Sequence, residues 1–240
     1  MATYCISDIH GCYDEYMELL EKIHFSDEDT LYNLGDIIDR GPEPMKVLRD
    51  IMARPNVISI LGNHEYMAYT ILSRLNVEIT EGNVETQLDR NLMEGIAVWF
   101  SNGGRVTLDA FRHLSREDKT AVLEFMSDMD LYEEIEVSGQ DYILVHAGLG
   151  NFTPWKPLER YSIDELVWDR SDYGRVYHDD RILITGHTPT VNLADDNEGT
   201  IVRKNNQIAI DCGCCFGFQL GALCLETGEE FYVKCRHKDD

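Results

Sequence analysis

Apolar and polar positions alternate along this chain with two periods, and the switches between them divide its first third into repeated units. Residues 3–6 form a short apolar run that ends at Ser7-Asp8, and Tyr13, Tyr16, Met17, Leu20 and Ile23 follow at helical spacing. The same order returns at residues 30–34, with Met45, Leu48, Ile51 and Met52 then lying on one helical face. It returns again at residues 57–61, with a helix expected to start near Glu65. Strand and helix patterns in this succession predict a parallel sheet with right-handed crossovers. Each strand run ends in a polar loop, at residues 8–11, 35–41 and 62–65. Ligands bind outside the carboxyl ends of the strands in such sheets, so the three loops are expected to meet in space.

Residues 76–130 have a different character. They are polar at first, then carry Leu88, Leu92, Ile96, Trp99 and Phe100, and later Ala121, Val122, Phe125 and Met126, at helical spacing. A helical insertion is predicted, divided at Asn102-Gly103-Gly104, with its amphipathic faces covering the sheet. Strand patterns resume at residues 131–137 and 142–145, the second ending in His146-Ala147-Gly148, and at 182–184, ending in Thr185-Gly186-His187. Residues 207–210, 219–225 and 230–233, with Gly228 in a turn, predict an antiparallel closing meander. Neither a repeat nor a flexible linker interrupts the pattern, so residues 1–240 are expected to form a single domain with residues 76–130 inserted in it.

Composition narrows the function classes. The chain carries 44 acidic and 21 basic residues, a net charge of −23. That balance opposes nonspecific attraction to nucleic acid or to an anionic membrane surface, so neither is expected as a partner. A phosphorylated substrate would have to be drawn in by a local positive field against the global one. Neither a signal-type segment nor a run of membrane-spanning length is present, and the expected location is cytoplasmic. The cysteines are odd in number, seven, and sit mostly in or beside strand-like runs, which predicts reduced structural thiols. The Cys212-Gly213-Cys214-Cys215 run contains one CxxC spacing, a weak zinc or redox signal for which close sheet packing is the better account.

The polar residues gathered at strand ends are Asp8, His10, Asp36, Asn63, His146 and His187. They offer three imidazoles, two carboxylates and one amide, a donor set that suits manganese, iron or zinc better than a thiolate site would. Six donors are too many for one catalytic ion with an open position, but they suit two divalent ions that share a carboxylate. Two such ions suit phosphoester hydrolysis. His64, beside Asn63, is the candidate acid, and Asp39 can hold its imidazole. Arg40 offers a bidentate fork for phosphate oxygens, and Arg170, at the end of Leu166-Val167-Trp168-Asp169, is a second candidate.

The ordered motifs SDIHG (7–11), GDIIDRG (35–41), GNHE (62–65), HAG (146–148) and TGHT (185–188) resemble the phosphoprotein phosphatase branch of the metallophosphoesterases, in its bacterial form. The resemblance implies an α/β sandwich of two mixed sheets flanked by helices. It also implies hydrolysis of phosphomonoesters by a metal-activated water, without a phosphoenzyme. Carried over, it places one metal at Asp8, His10 and Asp36 and a second at Asp36, Asn63, His146 and His187. It makes His64 the acid and Asp39 its partner, with Arg40, Asn63 and Arg170 on the substrate phosphate.

Ser7 stands where many members have glycine, and the stretch around residues 211–217 lacks the tyrosine-containing loop of the eukaryotic protein phosphatases. The expected activity is that of a serine/threonine protein phosphatase, with manganese the first choice of metal and a phosphorylated protein or small phosphoester as substrate. A symmetrical diadenosine tetraphosphate hydrolase is the alternative within the same chemistry. A catalytically silent metal-binding module is the alternative from another class, and His64 and Arg40 beside the ligands argue against it.

Overall fold

The computed structural model describes residues 1–77 and 89–236. Leu88, expected in the helical insertion, lies outside the described residues. The predicted strand and helix units appear in order: β1 (Thr3–Ile6), α1 (Tyr13–Lys22), β2 (Thr30–Asn33), α2 (Pro44–Met52), β3 (Val57–Ser59) and α3 (Asn63–Leu75). β1, β2 and β3 pair in parallel. The third helix begins two residues earlier than periodicity suggests, because the Glu65 side chain turns back to accept the Gly62 N–H at 3.2 Å and starts the first turn there.

The inserted segment follows as α4 (Arg90–Ser101), α5 (Arg105–Arg112) and α6 (Arg116–Ser127). Asp89 and Ser115 cap the first and last of these through their side chains. These helices contact α2 and α3, whereas the helix in contact with the sheet's own strands is α1. Their buried residues Leu92, Trp99, Phe111, Val122 and Met126 extend the same core.

The second half supplies β4 (Tyr132–Val137), β5 (Gln140–Val145), α7 (Ile163–Val167), β6 (Arg181–Thr185), β7 (Val202–Lys204), β8 (Gln207–Ala209), β9 (Gln219–Cys224) and β10 (Glu230–Lys234). Two mixed sheets result, ordered β10-β9-β1-β2-β3 and β4-β5-β6-β8-β7. The predicted closing meander is therefore corrected. β9 and β10 form an antiparallel hairpin on β1, but β8 pairs in parallel with β6 in the other sheet. Its antiparallel neighbour β7 is a three-residue strand with two exposed basic residues, and shows little apolar signal. Asn205 and Asn206, both left-handed with φ of 53° and 54°, make the tight turn between them.

Side-chain alternation builds the layers. On β1, Tyr4 and Ile6 face the core under the helices while Cys5 faces the other sheet. On β5, Tyr142 and Leu144 face the first sheet, and Ile143 and Val145 face Leu166 and Val167 of α7. The order is helices, sheet, sheet, helix, and the parallel strands of both sheets deliver their carboxyl ends to one rim.

Candidate metal centre and substrate cleft

Every predicted donor follows directly from a strand end on that rim. Asp8 and His10 follow β1, Asp36 follows β2, Asn63 opens α3 after β3, His146 follows β5 and His187 follows β6. Asp8, His10, Asp36, Asn63 and His146 are buried, and His187 is partly so. The backbone is bent to bring them there. Asp8, His10, Asp36, Asp39, Arg40 and His187 all have φ between 45° and 70°. A left-handed non-glycine residue costs roughly 1–3 kcal/mol, and such strain concentrates where surrounding structure enforces it for function.

Hydrogen bonds between loops enforce it here. His10 N–H donates to Asp36 O at 2.9 Å, Gly11 N–H to Ile37 O at 2.8 Å and Gly41 N–H to His10 O at 2.9 Å. Glu65, fully buried, accepts from the N–H groups of Asp36 and Ile37 at 2.8 Å each and of Ile38 at 3.2 Å, so one carboxylate ties the turn after β2 to α3. Gly62 must be glycine, since a Cβ there would lie 2.3 Å from Asp36 Oδ1 and 2.4 Å from Asp36 N.

The donors fall into two overlapping groups. Donor atoms of His10, Asp36 and His64 lie within 4.8 Å of one another, and so do those of Asp36, His146 and His187. Asp36 belongs to both. Its Oδ2 is 3.4 Å from His10 Nε2 and its Oδ1 is 3.4 Å from His146 Nε2. Asp8 reaches the centre with Oδ1 3.8 Å from His10 Nε2, while its Oδ2 accepts from the His187 N–H at 3.0 Å and from the Ser7 hydroxyl. The Ser7 hydroxyl thus steadies the carboxylate beside it.

The site fits a pair of cations. His10 Nδ1 bonds Ile38 O at 2.8 Å and His146 Nδ1 bonds Leu34 O at 2.6 Å, which turns each Nε2 lone pair inward as metal-ligating histidines require. His146 Nε2 and His187 Nδ1 both lie 2.9 Å from Asn63 Oδ1; because His146 Nδ1 bonds a carbonyl, its Nε2 is an acceptor facing another acceptor, a repulsion that a shared cation would relieve. Burial and the nearby Asp8 and Glu65 carboxylates push the Asp36 carboxyl well above the usual range. Burial, then Arg40 and His64, holds His10 well below its ordinary value, and burial with His146 pulls His187 down to about 2. Acids pushed up and imidazoles pushed down mark a place that disfavours its own proton-derived charges, and bound divalent ions reverse that balance.

His64 stands behind this centre. Its Nδ1 is 2.6 Å from Asp39 Oδ2, and its Nε2, fully buried and without a hydrogen-bond partner, lies 3.8 Å from Asp36 Oδ2. The helical insertion holds the aspartate. Trp99 Nε1–H donates to the same Asp39 oxygen at 2.8 Å, and Asp39 N–H donates to Thr107 Oγ1 at 3.0 Å. The insertion is thus part of the site's support, although Trp99 reads in sequence only as an apolar helical position.

A cleft of about 330 Å³ opens over the donors, lined by Asp36, Asn63, Arg40, Arg170, Trp168 and Phe216 among others. Arg40 Nη1 lies 2.7 Å from His10 Nε2, with the guanidinium 5.0 Å from the centre of the Phe216 ring. Arg170 Nη1 donates to His187 O at 3.2 Å and to Thr188 Oγ1 at 2.9 Å, and its side chain lines the same cleft. Each of the ten residues singled out from sequence lies in this one region. Asp211 was passed over. It follows β8, is buried, and its Oδ1 accepts the Gly213 N–H at 2.9 Å; burial, then Asp8, pushes its carboxyl well above the usual range. A carboxylate directly after an apolar run is the same signal that marked Asp8 and Asp36, and the misplaced meander concealed it.

Two mixed sheets flanked by helices, with two donor groups sharing a carboxylate at the strand ends, define a metallophosphoesterase. The chain belongs to the calcineurin-like phosphoesterase family, whose model matches residues 1–191, and its relatives place it in the bacterial-type phosphoprotein phosphatase branch. It is 30% identical over 168 residues to serine/threonine-protein phosphatase 2 of Salmonella typhimurium, covering 70% of this chain and 67% of that protein. It is 27% identical over 256 aligned positions to the asymmetrical bis(5'-nucleosyl)-tetraphosphatase PrpE of Oceanobacillus iheyensis, covering 96% and 91%. A solved structure provisionally described as a diadenosine tetraphosphatase shares the fold with a TM-score of 0.66 at 18% identity, covering 97% of this chain and 93% of its own.

Proposed function

We propose that this chain is a two-metal hydrolase of phosphoric monoesters, acting first on phosphoserine and phosphothreonine in proteins. The observation that carries the reading is the place of Asp36 between the two sets, with Oδ2 3.4 Å from His10 Nε2 and Oδ1 3.4 Å from His146 Nε2. Asp8, His10 and Asp36 would hold one divalent ion, and Asp36, Asn63, His146 and His187 the other, with manganese the first choice and iron or zinc compatible with the same donors. When bound, such a pair activates water and offsets the charge on the phosphoryl oxygens.

The remaining steps belong to side chains of this chain. Arg40 and Arg170, both lining the cleft, orient the phosphoryl oxygens by charge-assisted hydrogen bonds. His64 gives its Nε2 proton to the leaving oxygen, and Asp39, itself fixed by Trp99 and Thr107, holds the ring in the orientation that presents that atom. A cleft of about 330 Å³ takes a phosphoryl group and the atoms next to it, which favours a phosphorylated side chain over a ligand that must be enclosed whole.

A dinucleoside tetraphosphate is the second reading, favoured by the alignment that runs over 96% of this chain to an asymmetrical tetraphosphatase. One panel separates the two. Protein of measured metal content is given a phosphoserine peptide, p-nitrophenyl phosphate and diadenosine tetraphosphate. Release of inorganic phosphate from the first two at rates above that from the third supports the leading reading. Fast formation of ADP alone, or of ATP with AMP, from the third with slow release from the first two would replace it with the second.

A further inference from the structure

The CxxC spacing at residues 212–215 does not make a site, because the left-handed Gly213, with φ of 72°, sends its cysteines to different layers. Cys212 lies between the sheets, whereas Cys214 and Cys215 lie on the helical side of the first sheet. A different set is brought together. Cys12 precedes α1, Cys214 opens the turn after β8, and Cys235 follows β10, yet their sulfur atoms all lie within 4.8 Å of one another.

We propose that Cys12, Cys214 and Cys235 form a third metal site, separate from the catalytic pair, that takes one thiophilic divalent ion of the zinc class. Sulfurs bound to one zinc at about 2.3 Å stand roughly 3.8 Å apart in tetrahedral geometry, so the observed triangle needs only a small contraction. Each coordinated thiol releases its proton to solvent. No carboxylate or imidazole of the described residues joins the three sulfurs within 4.8 Å, so a water would complete the tetrahedron.

The site would fasten three separate parts of the chain, one of them at the cleft. The turn that carries Cys214 places Cys215 Sγ 3.8 Å from Arg40 Nη1 and the Phe216 ring beneath its guanidinium. The thiolates of this site disfavour manganese, which the nitrogen and oxygen donors of the catalytic centre accept.

Cobalt(II) titrated into chelator-stripped full-length protein, with thiols kept reduced, tests the proposal. Sulfur-to-cobalt charge-transfer absorption is expected in the wild-type protein and in Asp36→Asn, since nitrogen and oxygen donors give no such band. In Cys214→Ser and in Cys235→Ser, each left with two of the thiols, the band should weaken and the cobalt affinity should fall by more than the roughly 10–100-fold that loss of an outer partner causes. Cys235 is partly exposed near the end of the described chain, so its variant keeps the test decisive if Cys214→Ser does not fold. Absence of the band at saturating cobalt overturns the proposal, as does a band of unchanged affinity in Cys235→Ser. A disulfide among the three thiols, found by mass in protein purified without reductant and accompanied by no cobalt band after reduction, overturns it too.

Discussion

His64 and Asp39 show how much of this site depends on single atoms. Both are fully buried, and a neutral carboxamide at position 39 would keep the size of the side chain while removing the charge that holds His64 Nδ1. His64→Asn should lower phosphate release by about 10²–10⁴-fold, the range general-acid catalysis contributes, with metal content unchanged. Asp39→Asn should fall less than His64→Asn and should likewise keep its metal. Loss of metal in either variant, read by elemental analysis, would contradict a role outside the ligand set.

A second residue-scale prediction concerns stability. Glu165 hydrogen-bonds Lys156, the Ser162 N–H and Asn151, and these hold its carboxyl at about 2, below the ordinary 4.5. The folded state therefore binds the proton more weakly than the unfolded one, and this contribution to stability is present above pH 4.5 and is lost as pH falls towards 2. The gap in denaturation midpoint between wild type and Glu165→Gln should be largest near neutrality and should shrink as pH falls from about 5 to about 3. A gap that does not change with pH would show that Glu165 acts by packing alone.

At this scale the sequence was most informative where an apolar run ends in a donor, because a strand end fixes where the next few residues point. Glu65 was visible in its motif, but its service to the Asp36, Ile37 and Ile38 N–H groups depends on a contact between residues far apart in the chain. Periodicity carries no trace of such a contact.

Among elements, the inserted helices connect fold and chemistry. Trp99 of α4 is fully buried and donates to Asp39, and a Cβ on Gly104 would meet its ring at 2.3 Å, so the indole is locked against its own turn. Trp99→Phe keeps most of the apolar volume and removes the donor. It should cut kcat about tenfold, the lower part of the effect of losing a partner that orients a functional group, and leave metal stoichiometry unchanged. Unaltered kcat with a lowered Tm would assign Trp99 to the core only.

The parallel units were legible because three successive strand and helix patterns constrain one another, each supporting the register of the next. The end of the chain was not, since β8 and β9 read as neighbours by sequence while a left-handed glycine and a short turn carry the chain from one sheet to the other. Apolar runs show that a strand exists, but not which sheet it joins.

For the molecule as a whole, a net charge of −23 surrounds a cleft lined by Arg40 and Arg170. An anionic substrate is repelled at a distance and attracted only on arrival. Raising ionic strength from about 0.01 M to 0.15 M shortens the screening length from about 30 Å to 8 Å, which removes the long-range repulsion before it weakens the close contacts. Turnover at low substrate concentration should therefore rise over this interval for an acidic phosphopeptide and rise less for one flanked by basic residues. A fall for both would show that the local field of the cleft already governs association. None of the described helices is long and apolar enough to cross a membrane.

The sharing of Asp36 between two ions is the claim on which the rest stands. Calorimetric titration of manganese, a hard ion that avoids thiols, into chelator-stripped protein tests it most directly. Wild-type protein should bind two ions, His187→Ala should keep one, and Asp36→Asn should weaken both together, with phosphate release following double occupancy. Binding of a single manganese ion by the wild-type protein, or an Asp36→Asn variant in which one of two sites keeps its affinity, would contradict the account.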